Sequence, residues 1–209
     1  MQDLITFERT TKNMKKITIT LLSLFIMTTS AQAQFEIEKL FGGINIGWAT
    51  PQGDVTTYAQ GGIAYNGFLG YKVGDKFGAG IQLGETLLGG IDSSGSTGFL
   101  GLNAFGISTA QLKGWYSPLD GDVKPFASIA LGAATVEEPS VTINGEKIPG
   151  KTSTGFGGEA QAGVSFQGVT LTYACVLGGQ GPEEGNWNQD VGGLAFNYSR
   201  ISLGFIYNF

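Results

Sequence analysis

From Arg200 to the last residue the chain alternates without a break. Ile201, Leu203, Phe205, Tyr207 and Phe209 take every second position, with Arg200, Ser202, Gly204, Ile206 and Asn208 between them. Side chains on a strand point to opposite faces in turn, so this period gives a strand with one wholly apolar face. Such a face must be covered, either by a second sheet or by lipid. Seven further segments alternate in the same way, near 40 to 50, 61 to 72, 76 to 88, 99 to 116, 125 to 137, 153 to 166 and 169 to 177, which with 194 to 209 makes eight strands. The clearest pair Ile63, Tyr65, Leu69 and Tyr71 against Ala64, Asn66, Gly70 and Lys72, and Val169, Leu171, Tyr173 and Cys175 against Thr170, Thr172 and Ala174. The segment from 99 to 116 is longer than a membrane span needs and carries Gly101 and Gly106, so a bulge or a protruding strand is expected there. No segment has a 3.6-residue period, which makes the chain all-β.

The connections have a rhythm. Pro51 to Gln60, Gly89 to Gly98, Glu138 to Thr152 and Gly178 to Gly193 are long, whereas Val73 to Asp75, Ser117 to Lys124 and Gln167 to Gly168 are shorter. Transmembrane barrels join their strands by tight turns on the periplasmic side and long loops on the outer side. In hydrocarbon an unpaired backbone N–H or C=O costs several kcal/mol, so only a closed sheet is acceptable there. Tyr71, Phe77, Tyr116, Phe126, Phe166, Tyr207 and Phe209 flank the tight turns and are expected to form one aromatic girdle, with Trp48, Tyr58 and Phe99 near the opposite rim.

The other end of the chain reads as an export signal. Met14, Lys15 and Lys16 are a basic start, Ile17 to Met27 an apolar run about half as long as a spanning helix needs, and Ala31, Gln32, Ala33 a small-residue cleavage site. Residues 1–13 are expected to be an upstream-start extension, 14–33 the signal peptide, and 34–209 a single barrel domain.

The terminal strand resembles that of bacterial outer-membrane barrels, which ends in Phe with further apolar residues at steps of two. The mature region as a whole resembles the small eight-stranded outer-membrane β-barrel family, in the company of OmpA transmembrane domains, OmpX and OmpW. The resemblance implies an eight-stranded antiparallel up-and-down transmembrane barrel. It also implies that Phe205, Tyr207 and Phe209 are read by the barrel-assembly machinery, that outer-membrane lipid and lipopolysaccharide surround the wall, and that the protein is a monomer.

An eight-stranded barrel has an interior about wide enough for side chains to fill. Parity places Asn45, Asn66, Gln82, Gln111, Lys113, Glu159, Gln161 and Arg200 inward, so Lys113, Glu159, Gln161 and Arg200 are the expected polar network of the lumen. Charges buried there need partners. Cys175, the only cysteine, shares its face with Tyr173 and Leu177 and is expected to meet lipid.

Composition limits function. The 209 residues include 35 Gly and no His and carry a formal charge of −5, so nothing marks the chain for nucleic acid. Outer-membrane phospholipases, lipid A-modifying enzymes and aspartyl-type barrel proteases resemble one another in using a catalytic histidine; without one, Ser-His and Asp-His mechanisms are excluded and the chain reads as non-enzymatic and free of cofactors. Acidic residues of the outer loops, Asp54, Asp92, Glu137, Glu138, Glu183, Glu184 and Asp190, have no spacing beyond weak cation binding. Gly145, Gly150, Lys151 and Thr152 match the phosphate-loop pattern, but Ser153 to Gly158 is unsuited to the helix that loop requires. Asn197, Tyr198, Ser199 matches a glycosylation acceptor inside a strand and is read as accidental. A structural or surface-interaction barrel is favoured, a narrow channel for small or apolar molecules is the alternative, and a soluble lipocalin-like barrel, suggested by Gly47 and Trp48, is opposed by polar residues on the lumen face.

Overall fold

The computed structural model describes residues 36–91, 104–143, 146–182 and 193–208. The signal segment and the extension before it, Asp92, Phe99, Gly145, Glu183, Glu184, Asp190 and Phe209 lie outside the described residues.

Ten strands follow in order: β1 Leu40–Gln52, β2 Ala59–Lys72, β3 Phe77–Gly90, β4 Ala104–Tyr116, β5 Val123–Glu137, β6 Val141–Ile143, β7 Glu146–Ile148, β8 Thr152–Phe166, β9 Val169–Gln180 and β10 Ala195–Asn208. Eight of them close into an antiparallel barrel in which each strand pairs with its sequence neighbour, while β6 and β7 form a separate two-stranded hairpin in the loop between β5 and β8. The seam is the pairing of β1 with β10, continuous from Phe41 opposite Asn208 to Gln52 opposite Asn197. Closure leaves no edge strand, which hydrocarbon demands.

Register fixes the shape. Stepping across the sheet from Leu40, the paired residues are Tyr71, Ala79, Gly114, Ile129, Ala160, Cys175, Ser199 and then Thr50, ten residues along the starting strand. A stagger of ten over eight strands tilts them by about 40° to the axis. At that tilt each residue climbs about 2.5 Å, so a stretch of ten residue steps such as Phe77 to Leu87 covers an apolar belt about 25 Å tall.

The belt is present on every strand. Ile44, Leu83, Leu112, Ile129, Leu171 and Leu203 all point outward, each more than half exposed, at up to 69%. A soluble barrel would not expose this much aliphatic surface in a continuous ring. This wall opposes the soluble lipocalin-like reading. Cys175 is exposed and unbridged on the same outward face.

Three details differ from the sequence expectations. The connection between β1 and β2 is a short 3-10 turn, Gly53–Thr57, because β1 runs on to Gln52. Pro51 fits there since it pairs only with Tyr198 of β10, while pairing to β2 stops at Ala49. The bulge expected within 99–116 does not occur in β4, which pairs in regular register with β3 from Ala104 to Tyr116 and with β5 from Gly106 to Tyr116; the register shifts fall at Gln60/Gly62 and Ala195/Asn197 near the long-loop rim. The hairpin β6–β7 was not expected, although Asn144-Gly145 between two short runs is a strong hairpin signal. Thr152 begins strand β8 with no helix behind it, so the phosphate-loop match lacks its structural context.

The tightest turn is Gln167 and Gly168 between β8 and β9, with φ of 49° and 87°. Two successive positive φ values match the twist of a two-residue hairpin, and the second falls on Gly.

Gly47 marks how closely the seam is packed. A Cβ there would run into the carbonyl oxygen of Ile201 and come 2.6 Å from the Cα of Ser202, both backbone atoms of β10. Gly47→Val is therefore expected to abolish the heat-modifiable folded band on an unboiled gel. Gly155→Val in β8, where an added Cβ meets nothing within 4 Å, should keep it.

Candidate functional site

The inward faces of the strands build a filled interior of three layers, which can be followed along β4. Trp115 lies toward the tight-turn end, Lys113 and Gln111 in the middle, and Ile107 and Phe105 toward the long loops. The alternation that puts aliphatic groups into the belt sends these residues into the lumen.

At the tight-turn end Phe41, Phe68, Trp115 and Phe126 form an aromatic plug. Trp115 stacks on Phe126 with ring centroids 4.1 Å apart and on Phe68 at 5.7 Å, and Phe41 meets Phe68 and Trp115 edge-on at 5.9 and 6.0 Å. Phe126 is thus a plug residue and not a member of the outer girdle. It lies at the height of the girdle, but its parity, shared with Ser128 and Ala130, turns it inward. Phe77, Tyr116, Phe166 and Tyr207 do face outward at that rim, and Phe77 stacks on Tyr116 at 4.8 Å.

The middle layer is polar. Arg200 donates from Nη2 to Oε2 of Glu159 at 3.0 Å, with both side chains almost fully buried. Lys113 does not pair directly with the carboxylate. Its Nζ donates to Oε1 of Gln82 and to Oε1 of Gln161, each at 2.7 Å, and lies 4.9 Å from the centre of the Phe68 ring. Gln82 is the link between the charges: its Oε1 accepts from Lys113 while its Nε2 donates to Glu159 at 3.2 Å and to Gln111 at 3.3 Å. Ser128 adds a bond to Gln161 at 3.0 Å. One rung aside, Asn45 donates to Asn66 at 2.8 Å and accepts from Thr170 at 3.2 Å. The network holds two cations and one carboxylate, a balance that decides what a substitution does here.

Toward the long loops the lumen is apolar. Leu88, Phe105, Ile107, Val136, Val176, Phe196 and Tyr198 pack into one buried cluster, and Val55 of the 3-10 turn reaches in from above, fully buried. The hydroxyl of Tyr198 accepts from Thr86 at 2.9 Å, so its polar end is satisfied. This corrects the expectation that polar residues take the lumen face: the charged and amide side chains are gathered in the central layer, and the layers on either side of it are mainly apolar. Parity assigned the faces, but assigning the layers also needs the register between strands. Tyr58 packs against this cluster and Trp48 stands exposed on the outer wall.

Of the terminal-strand residues, Phe205 and Tyr207 face outward. Among the described residues no group of three His, Cys, Asp or Glu side chains could hold a metal ion. Asp54 and Glu137 stand apart at the long-loop end, whereas the Glu138 side chain is buried and its backbone N–H closes the loop base on the Lys151 carbonyl at 2.9 Å. Below the aromatic plug lies an open cup of about 420 Å³, floored by Phe41, Trp115 and Phe126.

No family model and no curated protein matches the sequence. Among solved structures, Neisserial surface protein A superposes with a TM-score of 0.55 at 14% identity over 82% of this chain and 97% of its own. The chain has the fold of the small eight-stranded outer-membrane barrels. Ail of Yersinia pestis (TM-score 0.47, 11% identity, 80% of this chain and 98% of its own) and the N-terminal barrel domain of Pseudomonas aeruginosa OprF (TM-score 0.43, 12%, 81% and 98%) are more distant matches. With its apolar belt and closed sheet, the molecule is a transmembrane β-barrel of the outer-membrane kind.

Charge balance in the middle layer gives an asymmetric expectation. Glu159→Gln leaves Lys113 and Arg200 facing each other without a counter-charge and should destabilise the barrel by about 3–5 kcal/mol, as removal of one partner of a buried pair does. Arg200→Met leaves one cation with one carboxylate and should cost clearly less. Urea unfolding in micelles, followed by tryptophan fluorescence, compares the two, and equal losses would refute the charge-balance account.

Proposed function

We propose that this protein is an integral outer-membrane barrel whose interior is a structural core and whose working surface is the set of long loops. It is non-enzymatic and needs no cofactor. The observation that carries this reading is the three-layer filling of the lumen. An aromatic plug, a hydrogen-bonded polar layer and an apolar cluster with Val55 above it lie in series, so a solute would have to displace all three. Tight turns and both ends of the barrel sheet lie at one rim, and by the barrel convention that rim faces the periplasm.

The long connections suit a surface role. Among the described residues the connection from β5 to β8 carries the β6–β7 hairpin, and the acidic side chains Asp54 and Glu137 are exposed at the long-loop end. The partner class at this surface is met through loops, in a lipid and lipopolysaccharide setting, by a monomer that binds no nucleic acid. Shortening 138–151 to a tight turn should leave folding intact and remove the surface interaction. Comparing cell adhesion and serum-survival phenotypes of that variant with wild type tests the assignment.

The channel reading makes the opposite demand on the lumen. In planar bilayers the wild type should give no reproducible single-channel steps, and a Phe41→Ala/Trp115→Ala/Phe126→Ala variant should still be closed by the layers beyond. Regular steps from the wild type would replace the structural reading with the channel. The assembly role of Phe205, Tyr207 and Phe209 belongs to the same proposal: removal of Phe209 should lower the amount of barrel in the outer membrane, and unchanged levels would remove it.

A further inference from the structure

The polar layer of the lumen is bonded but not saturated. Arg200 Nε, Glu159 Oε1, Gln111 Nε2 and Asn66 Nδ2 are buried there without a hydrogen-bond partner among the described residues. A buried donor or acceptor left in this way is costly, and native interiors largely avoid it.

These atoms converge because each is the second end of a group whose first end is already held. Gln82 Nε2 donates to Gln111 Oε1 at 3.3 Å and to Glu159 Oε2 at 3.2 Å, and Arg200 Nη2 donates to the same Oε2 at 3.0 Å. The free atoms of Gln111, Glu159 and Arg200 are each separated from this cluster by a single carbon. Asn66 stands one rung away, paired with Gly84, the next inward residue after Gln82 on β3. Gly84 in turn pairs with Thr109, the inward neighbour of Gln111 on β4.

There is also room beside them. Arg200 pairs with Ala49 on one side and Ala174 on the other, and Gly157 is the inward neighbour of Glu159 on β8. The Arg200 and Glu159 side chains keep 4% and 3% of their surface accessible, whereas Phe105, Ile107, Val136 and Phe196 above them keep none. Accessible surface at the centre of a closed wall means a space of about water size at the ion pair.

Chemistry selects what fits there. Arg200 Nε, Gln111 Nε2 and Asn66 Nδ2 can only donate, and Glu159 Oε1 can only accept. A halide would satisfy the donors but would lie against the carboxylate oxygen, and a metal cation would face the N–H groups. Water both gives and takes.

We infer that Arg200, Glu159, Gln111 and Asn66 form a binding site for internal water. One molecule accepts from Arg200 Nε and Gln111 Nε2 and donates to Glu159 Oε1, and a second extends the chain to Asn66 Nδ2. Each charge keeps its protein partner, and water takes up the remaining hydrogen-bonding capacity. The site deepens the filled-lumen reading proposed above and rests on it. With the aromatic plug on one side and the apolar cluster on the other, the water leaves only when the barrel opens.

Arg200 is the only arginine after Arg9, so the mature barrel made with isotope-labelled arginine gives one Nε–H signal to read. In micelles that proton should contact water, with cross-peaks of opposite sign in laboratory-frame and rotating-frame Overhauser spectra, the mark of a long-held molecule. Gln111→Met removes one donor at similar side-chain length and should lose most of that intensity. Tyr198→Phe removes the hydroxyl on the next inward residue of β10, a possible relay, and should keep it. A visible Nε–H signal without water contact, an undiminished contact in Gln111→Met, or its loss in Tyr198→Phe would each overturn the site. A signal that moves with chloride at constant ionic strength would put an anion there and overturn it as well. Cross-peaks of the same sign, the mark of fast-exchanging water, would instead count against the sealed lumen, so the two failures are told apart.

Discussion

Everything in this molecule depends on satisfying the backbone without water. Each residue of a membrane-spanning strand brings a donor and an acceptor that hydrocarbon cannot bond. The β1–β10 seam is where that requirement is met or lost, because every other pair joins consecutive strands of the barrel, β5 and β8 being separated only by the β6–β7 hairpin, while this one joins the two ends of the sheet. Its twelve paired residues tolerate no side chain at Gly47, and the polypeptide backbones approach so closely there that glycine is the residue that fits. Closure then fixes the stagger, the tilt and with them the height of the belt.

A narrow closed wall creates a second problem, since inward side chains from eight strands meet near one axis. The chain meets it by sorting residues by height. Large rings fill the tight-turn end, where Trp115 is sandwiched between Phe126 and Phe68, and branched apolar groups with Phe105 and Phe196 fill the other. Charges are confined between these two dry layers, where each has to be bonded by protein groups. Gln82 serves that need because an amide can donate to Glu159 and accept from Lys113 at once. A second carboxylate in its place would match the two cations in number but could not donate to Glu159, and an aliphatic residue would leave both charges under-bonded.

How much of this was legible in the sequence follows from which quantity each feature depends on. Parity is a property of one strand, so the inward positions of Asn45, Asn66, Gln82, Gln111, Lys113, Glu159, Gln161 and Arg200 could be read residue by residue. Contact is a property of register between strands, which the sequence carries only weakly in a wall this rich in glycine. Nothing in the local pattern says that Lys113 faces glutamine carbonyls while Arg200 takes the carboxylate. Phe126 differs from these: its height suggested the girdle, although its parity, shared with Ser128 and Ala130, was legible and turns it into the plug. The Asn144-Gly145 hairpin signal was readable but was hidden by a phosphate-loop pattern that uses the same glycine.

Two glutamates, Glu85 and Glu159, show how far one step of parity changes a residue's chemistry. Glu159 points inward, where the lumen surrounds it with Arg200, Gln82 and, one link away, Lys113; both of its hydrogen bonds come from the chain and converge on Oε2, while Oε1 is buried without a partner among the described residues. Glu85 points outward, where the chain offers it Tyr65 and the neighbouring Ser108 and then ends. Exchanging it for the leucine found at the positions on either side would remove a desolvation cost and keep the belt intact.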